Sequence, residues 1–226
     1  SGTVSMIEAG IAKAKENGSE GLLILLDTPG GMLDATRDIV KLFFNTDVPI
    51  LVYVPPSGAH AGSAGTFLTM AAHVAAMAPG TNIGAAHPVS ATGSDPEKDG
   101  SKHLGKKIEN DTSAFIETIA RQRNRNAEWG RKAVLESAAI GEGEALKINV
   151  IDFVAKDVPD LLKQSDGRKV KLTSGEKVLK TADATRIPLE VGFGTKVKNA
   201  LANPAVMFVL LLVAGMGIYM EMSHPG

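Results

Sequence analysis

Cysteine is absent from the 226 residues, which excludes a disulfide framework, a thiolate nucleophile and any cysteine-ligated metal site. Neither sign of charge is in excess. The 24 basic residues meet 25 acidic ones for a net −1, so no basic field exists to attract nucleic acid, and no nucleic-acid partner is expected. Aromatic residues make up only 4%, and the 24 glycines and many alanines instead suit helices lying close on a sheet. His73, His103 and His224 show no metal-ligand spacing and read as structural; no metal and no other cofactor is expected. No apolar leader opens the chain. It begins Ser-Gly-Thr-Val and enters a helical pattern almost at once, as the interior boundary of a longer protein would.

What is present has the rhythm of an α/β protein. Residues 4–16 place Val4, Ile7, Ile11 and Ala14 on one helical face, and Asn17-Gly18 ends it. Leu22 to Leu26 is a short apolar run, a strand buried on both faces as in a parallel sheet. A helix from Leu33 to Phe44, a strand from Ile50 to Val54 and a helix around 67–76 follow, giving βαβ units with crossover helices. Val74 to Met77 reads as a strand at a sheet edge, Thr81 to Pro88 as a short strand and turn, and 89–103 as a polar loop. Helices are predicted over 106–123, 127–136, 142–147 and 157–163, a strand over 150–154, and a hairpin around Ser174-Gly175 within 167–183.

Residues 56–67 carry the chemistry. Ser63 stands between Gly62 and Gly65, flanked by Ala61 and Ala64, where an apolar strand gives way to a helix. Small residues permit a sharp turn that presents the serine at a helix N-terminus, where free N–H groups favour developing negative charge. That is the requirement for a nucleophile elbow, although Ala61 occupies the first glycine position of G-x-S-x-G. Read alone, the stretch fits a structural serine equally well. Gly30-Gly31, however, lies at a neighbouring strand end, and ligands of parallel sheets bind beyond the carboxyl ends of their strands.

Ala205 to Met220 is a run of sixteen uncharged residues. As a helix it would rise about 24 Å, somewhat short of a ~30 Å hydrocarbon core. Pro204 can start it, Glu221 bounds it, and the lack of a polar face favours a membrane span over a buried core helix.

Several stretches together resemble the NfeD family of membrane-bound serine proteases, a branch of the ClpP/crotonase-like superfamily. They are Asp27-Thr28-Pro29-Gly30-Gly31, Gly62-Ser63-Ala64-Gly65-Thr66, Met77 to Ala85, Gly141 to Asp152 and the terminal apolar segment ending Ser223-His224-Pro225-Gly226. The resemblance implies a ClpP/crotonase-like domain over 1–165, a connecting β-hairpin segment over 166–200 and the start of a transmembrane region over 201–226. Family members begin with a strand before the first helix and continue into further spans and a small β-domain, so the chain reads as truncated at both ends.

The resemblance also implies an ATP-independent endopeptidase with a Ser–Lys dyad. Ser63 falls on the nucleophile position, and backbone N–H groups of Gly31 and Ala64, with Gly30 beside them, fall on the oxyanion hole. One such donor is typically worth roughly 3 kcal/mol in the transition state. For the base, Lys107 precedes Asn110-Asp111 as in bacterial-type members; Lys106 is its neighbour, and Lys102 lies just upstream. An ungapped match to an archaeal relative puts that relative's lysine at Glu117 instead. His87 stands 24 residues after Ser63, where ClpP carries its histidine, but the orienting acid is replaced by Ser137, with Glu136 adjacent. His60 is expected to line the cleft or face solvent.

The family implies a stomatin/prohibitin-like membrane protein as substrate or partner, a bacterial cell membrane as location, and a homodimer or higher homo-oligomer. Two other classes compete. An acyl-CoA enzyme of crotonase type would need an acid near the elbow, and 27–70 supplies none there. A non-catalytic scaffold binding stomatin-like proteins through the same groove would keep the fold without cleavage.

Overall fold

A computed structural model describes residues 2–88 and 102–189, together with Phe208, Leu211, Leu212 and Met216. Apart from those four residues, the span predicted over 201–226 lies outside the described residues, as does most of the loop predicted over 89–103. Among the described residues, no helix is long and apolar enough to cross a membrane.

Four parallel strands form the main sheet, in the order β1 (Leu22–Leu25), β2 (Ile50–Val54), β4 (Val74–Met77), β7 (Phe153–Val154). The predicted edge position of Val74–Met77 is corrected here. β4 lies inside the sheet, between β2 and β7, with all four residues buried. Its Val-Ala-Ala-Met sequence carries too little bulk to signal a central strand, yet small side chains are what let helices approach on one face and a hairpin on the other.

Alternation along the strands divides the interior into two cores, because successive side chains point to opposite faces. Ile50, Val52, Val54, Ala75 and Met77 face one core, built with Ile39, Val40 and Phe43 of α2 (Leu33–Phe44) and Phe67, Leu68 and Met70 of α3 (Ala64–Ala71). Ile7 of α1 (Gly2–Glu16), Ile116 and Ile119 of α4 (Lys102–Gln122), and Trp129, Ala133 and Val134 of α5 (Ala127–Leu135) complete it. Leu51, Tyr53, Val74, Ala76 and Phe153 face the second core, closed by Leu161 of α7 (Val158–Ser165), Val170 and Leu172 of β8 (Lys169–Leu172) and Leu179.

The hairpin β8–β9 (β9 is Gly175–Val178) therefore shares a core with the sheet rather than trailing from it. Polar pins reinforce it: Asp47 accepts from Thr173 and Ser174, and Lys177 reaches Glu20. A denser knot lies at Asp152. Its carboxylate accepts from the Ala75 N–H at 2.7 Å and from the guanidinium groups of Arg125 and Arg168 at 2.8 Å each. One aspartate thus ties the sheet, the turn after α4 and the hairpin together.

A second, three-stranded sheet contains the strand predicted after Thr81, β5 (Asn82–Gly84), between two strands the sequence does not signal, β3 (His60–Ala61) and the antiparallel β6 (Ala139–Gly141). It leads directly to the elbow. The short helix α6 (Glu142–Lys147) follows β6 and brings the chain back to β7. The helix predicted from 67 starts earlier, at Ala64, and the one predicted from 106 starts at Lys102.

Candidate active site

Ser63 occupies the N-cap position of α3 with φ 45° and ψ −110°, a strained conformation for a residue bearing a side chain. An N-cap serine ordinarily turns its hydroxyl onto the helix's own N–H groups. Here it makes no such capping bond, which frees the Oγ. The surrounding backbone holds the strain in place. The Ser63 N–H donates to the Ala85 carbonyl at 2.7 Å, and the Gly62 N–H donates to the Thr28 carbonyl at 3.0 Å. Thr28 in turn donates its N–H to the His60 carbonyl, clamping the end of β1 to the strand that enters the elbow.

The first turn of α3 is selectively satisfied. Gly65 donates to the Gly62 carbonyl and Thr66 to the Ser63 carbonyl. Among the described residues the Ala64 N–H makes no hydrogen bond, and neither does that of Gly31. A Cβ built on Gly31 would stand 3.3 Å from the Ala64 Cβ, so these two residues adjoin. Gly30, at φ 154°, passes so close that a Cβ there would lie 2.9 Å from the Ser63 Cβ and 3.4 Å from its Oγ. Two unpaired N–H groups beside one freed hydroxyl suit the stabilisation of an oxyanion formed by attack of that hydroxyl.

Of the basic residues singled out in the sequence, Lys106 and Lys107 are exposed on α4, and His87 is half-buried. The His87 Nδ1 lies 2.9 Å from the Val134 carbonyl. A carbonyl only accepts, so in the neutral ring Nδ1 carries the proton and Nε2 keeps its lone pair. Its segment runs beside the elbow, since Ala85 accepts from Ser63 and Ala86 donates to Ala133. His60 lies against the elbow itself: its Nε2 occupies the space that a Cβ on Gly62 would need, and its Nδ1 is 2.8 Å from Asn82 Oδ1. Glu117 pairs with Arg121 at 3.4 Å along α4.

The helices α3 and α4 advance in the same direction. Phe67 stacks on Phe115 with ring centroids 5.6 Å apart, and at the far end of α3 the Ala71 carbonyl accepts from Arg123 Nε at 2.7 Å, just beyond α4. Arg37 of α2 secures the same face, bonded to Asp111 at 2.6 Å and lying 4.3 Å over the Phe115 ring. Ser63 is four residues before Phe67, and Lys107 is eight before Phe115.

Sequence reasoning missed the hydroxyl of Thr28, the His60–Asn82 pair and the Val134 carbonyl. Only the first had a signal: a threonine two residues before a glycine is suited to a side-chain turn onto that glycine's N–H.

A family model described as the NfeD1b N-terminal domain matches residues 1–185. The chain belongs to the NfeD1b family. Over 230 aligned residues it is 34% identical to the membrane-bound protease PH1510 of Pyrococcus horikoshii, covering 99% of this chain and 51% of that protein. It is 24% identical to the membrane protein NfeD1b of Bacillus subtilis, covering 100% of this chain and 49% of that one. The chain thus spans about half the length of the curated relatives it matches. Among solved structures it resembles a lysine-to-alanine mutant of the 1510-N membrane-bound stomatin-specific protease in complex with a substrate peptide. The TM-score is 0.77 and the identity 33%, over 88% of this chain and 90% of that one. A serine-to-alanine mutant of the same protease matches with a TM-score of 0.75 and 34% identity, over 84% and 91%. This NfeD1b-family chain therefore shares its α/β fold with a protease domain.

Proposed function

We propose that this NfeD1b-family domain is a serine endopeptidase in which Ser63 attacks the substrate carbonyl, with the N–H groups of Gly31 and Ala64 receiving the oxyanion. The observation that carries the reading is the strained Ser63, uncapped and adjoining two unpaired N–H groups. A scaffold protein has no use for a serine held at φ 45° when a glycine would turn the chain at lower cost.

Lys107 is the proposed base. Because α3 and α4 run parallel, stepping back from the Phe67–Phe115 contact carries the start of α4 toward the level of Ser63. At about 100° per residue, Lys107 lies some 80° around the axis from Phe115, whereas Lys106 lies about 180° away. Burial disfavours the charged form of an amine, so this role requires bound substrate to cover and desolvate Lys107. The Ser63–His87 pair is the second reading, favoured by the His87 tautomer that Val134 fixes. Lys107→Ala and His87→Ala separate the two. The variant that abolishes fluorophosphonate labelling of Ser63 identifies the base, and full labelling of Lys107→Ala overturns the dyad.

The proposed substrate is an apolar segment of a stomatin- or prohibitin-like membrane protein, cleaved beside a cell membrane without ATP. Support comes from the names of the relatives and from Met32 and Leu104, 70% and 56% exposed, which are suited to wall an apolar cleft. Pairing of subunits belongs to the same reading, with light scattering as its check. Cleavage of an apolar peptide by the wild type and none by Ser63→Ala is the expected result. Binding without cleavage by the wild type would return the reading to a scaffold.

A further inference from the structure

The Gly30–Gly31 peptide is held by a single side chain. Thr28 Oγ1 donates to the Gly30 carbonyl at 2.9 Å and accepts from the Gly30 N–H at 3.1 Å. The Gly30 carbonyl and the Gly31 N–H belong to one planar peptide unit and point in opposite directions. Fixing the carbonyl therefore aims the Gly31 N–H. The same hydroxyl occupies the Gly30 N–H, which removes it as an oxyanion donor and leaves Gly31 and Ala64. Thr28 is itself immobilised. Its N–H and carbonyl are bonded to His60 and Gly62, and its Cγ2 fills the space beside Gly65, 2.9 Å from where a Cβ would stand.

We infer that Thr28 is a positioning residue whose hydroxyl aligns the Gly31 N–H with that of Ala64, coupling the end of β1 to the serine elbow. The inference rests on the protease reading. It adds that the oxyanion hole is assembled by a side chain that never touches substrate. Threonine combines both features: its hydroxyl orients the glycine peptide, and its methyl packs against α3.

Thr28→Val keeps the methyl and removes the hydroxyl; Thr28→Ser does the reverse. With an internally quenched apolar peptide, Thr28→Val is expected to lower kcat on the order of 10- to 100-fold with KM within about twofold, since the donor acts on the transition state. Affinity for a peptide boronic acid, which places an oxygen in the same hole, should fall in parallel. Thr28→Ser should retain most of the rate. Thermal melting of each variant controls for folding, and Thr28→Ala supplies a second hydroxyl-free variant should Thr28→Val fail to fold. Unchanged kcat in a folded hydroxyl-free variant, or equal losses in the serine and valine variants, would overturn the positioning role. A wild type that neither cleaves the peptide nor reacts with a fluorophosphonate would instead overturn the protease reading beneath it.

Discussion

Around Ser63 the glycines are steric requirements. A methyl at Gly30 would crowd the serine side chain, and φ 154° disfavours any side chain there. Gly30→Ala is therefore expected to lower peptide cleavage at least about 100-fold while the melting temperature falls by only a few degrees. A matched loss of activity and fold would instead make Gly30 a stability residue. His73 gives a different residue-scale prediction. Burial, with Arg123 and Arg125 nearby, lowers its pKa to about 3, and its Nδ1 accepts from the Ile50 N–H. The folded state keeps His73 neutral while the unfolded chain protonates it near 6.5. Its contribution is thus complete above about pH 6.5 and is lost as pH falls toward about 3, at up to ~1.4 kcal/mol per unit. Urea titrations across that range should show His73→Gln with a flatter pH dependence than wild type.

Elements were legible in proportion to their apolar contrast. Although β1, expected to be buried on both faces, lies at the edge of the four-stranded sheet with Leu25 exposed, the runs Leu22–Leu25 and Ile50–Val54 and the helix Leu33–Phe44 announce themselves by apolar character and period. The strands His60–Ala61 and Ala139–Gly141 did not, since two or three small or polar residues carry no periodicity and form only by pairing across the chain. That second sheet matters for the site because His60, Asn82 and the elbow all lie on it or beside it. The candidate serine stood out in the sequence by its flanking small residues. Which residues of α4 face it could not be read, because α3 and α4 are brought together by the Phe67–Phe115 stack, a contact distant in sequence. At this scale Phe115→Ala should loosen the start of α4. If Lys107 is the base, cleavage should drop by more than the loss in melting temperature accounts for. An effect on stability alone would remove α4 from the site.

Across the whole molecule, Asp152 joins the sheet to the hairpin through Arg125 and Arg168. Arg125 is almost fully buried, its side chain 3% exposed, so removing its carboxylate partner strands a charge. Asp152→Ala is expected to cost about 3 kcal/mol in urea unfolding, whereas Arg168→Ala, at a half-exposed pair, should cost about 1 kcal/mol or less. Equal costs would show that the buried arginine is satisfied by its carbonyl partners alone. Beside the two cores and the Asp152 knot, the elbow holds Ser63 at a positive φ with its hydroxyl uncapped. The most direct test of that account is mass spectrometry of the fluorophosphonate-treated protein. It should show one adduct per chain, on the peptide containing Ser63, and none in Ser63→Ala; an unmodified wild type, or an adduct that persists in Ser63→Ala, would contradict it.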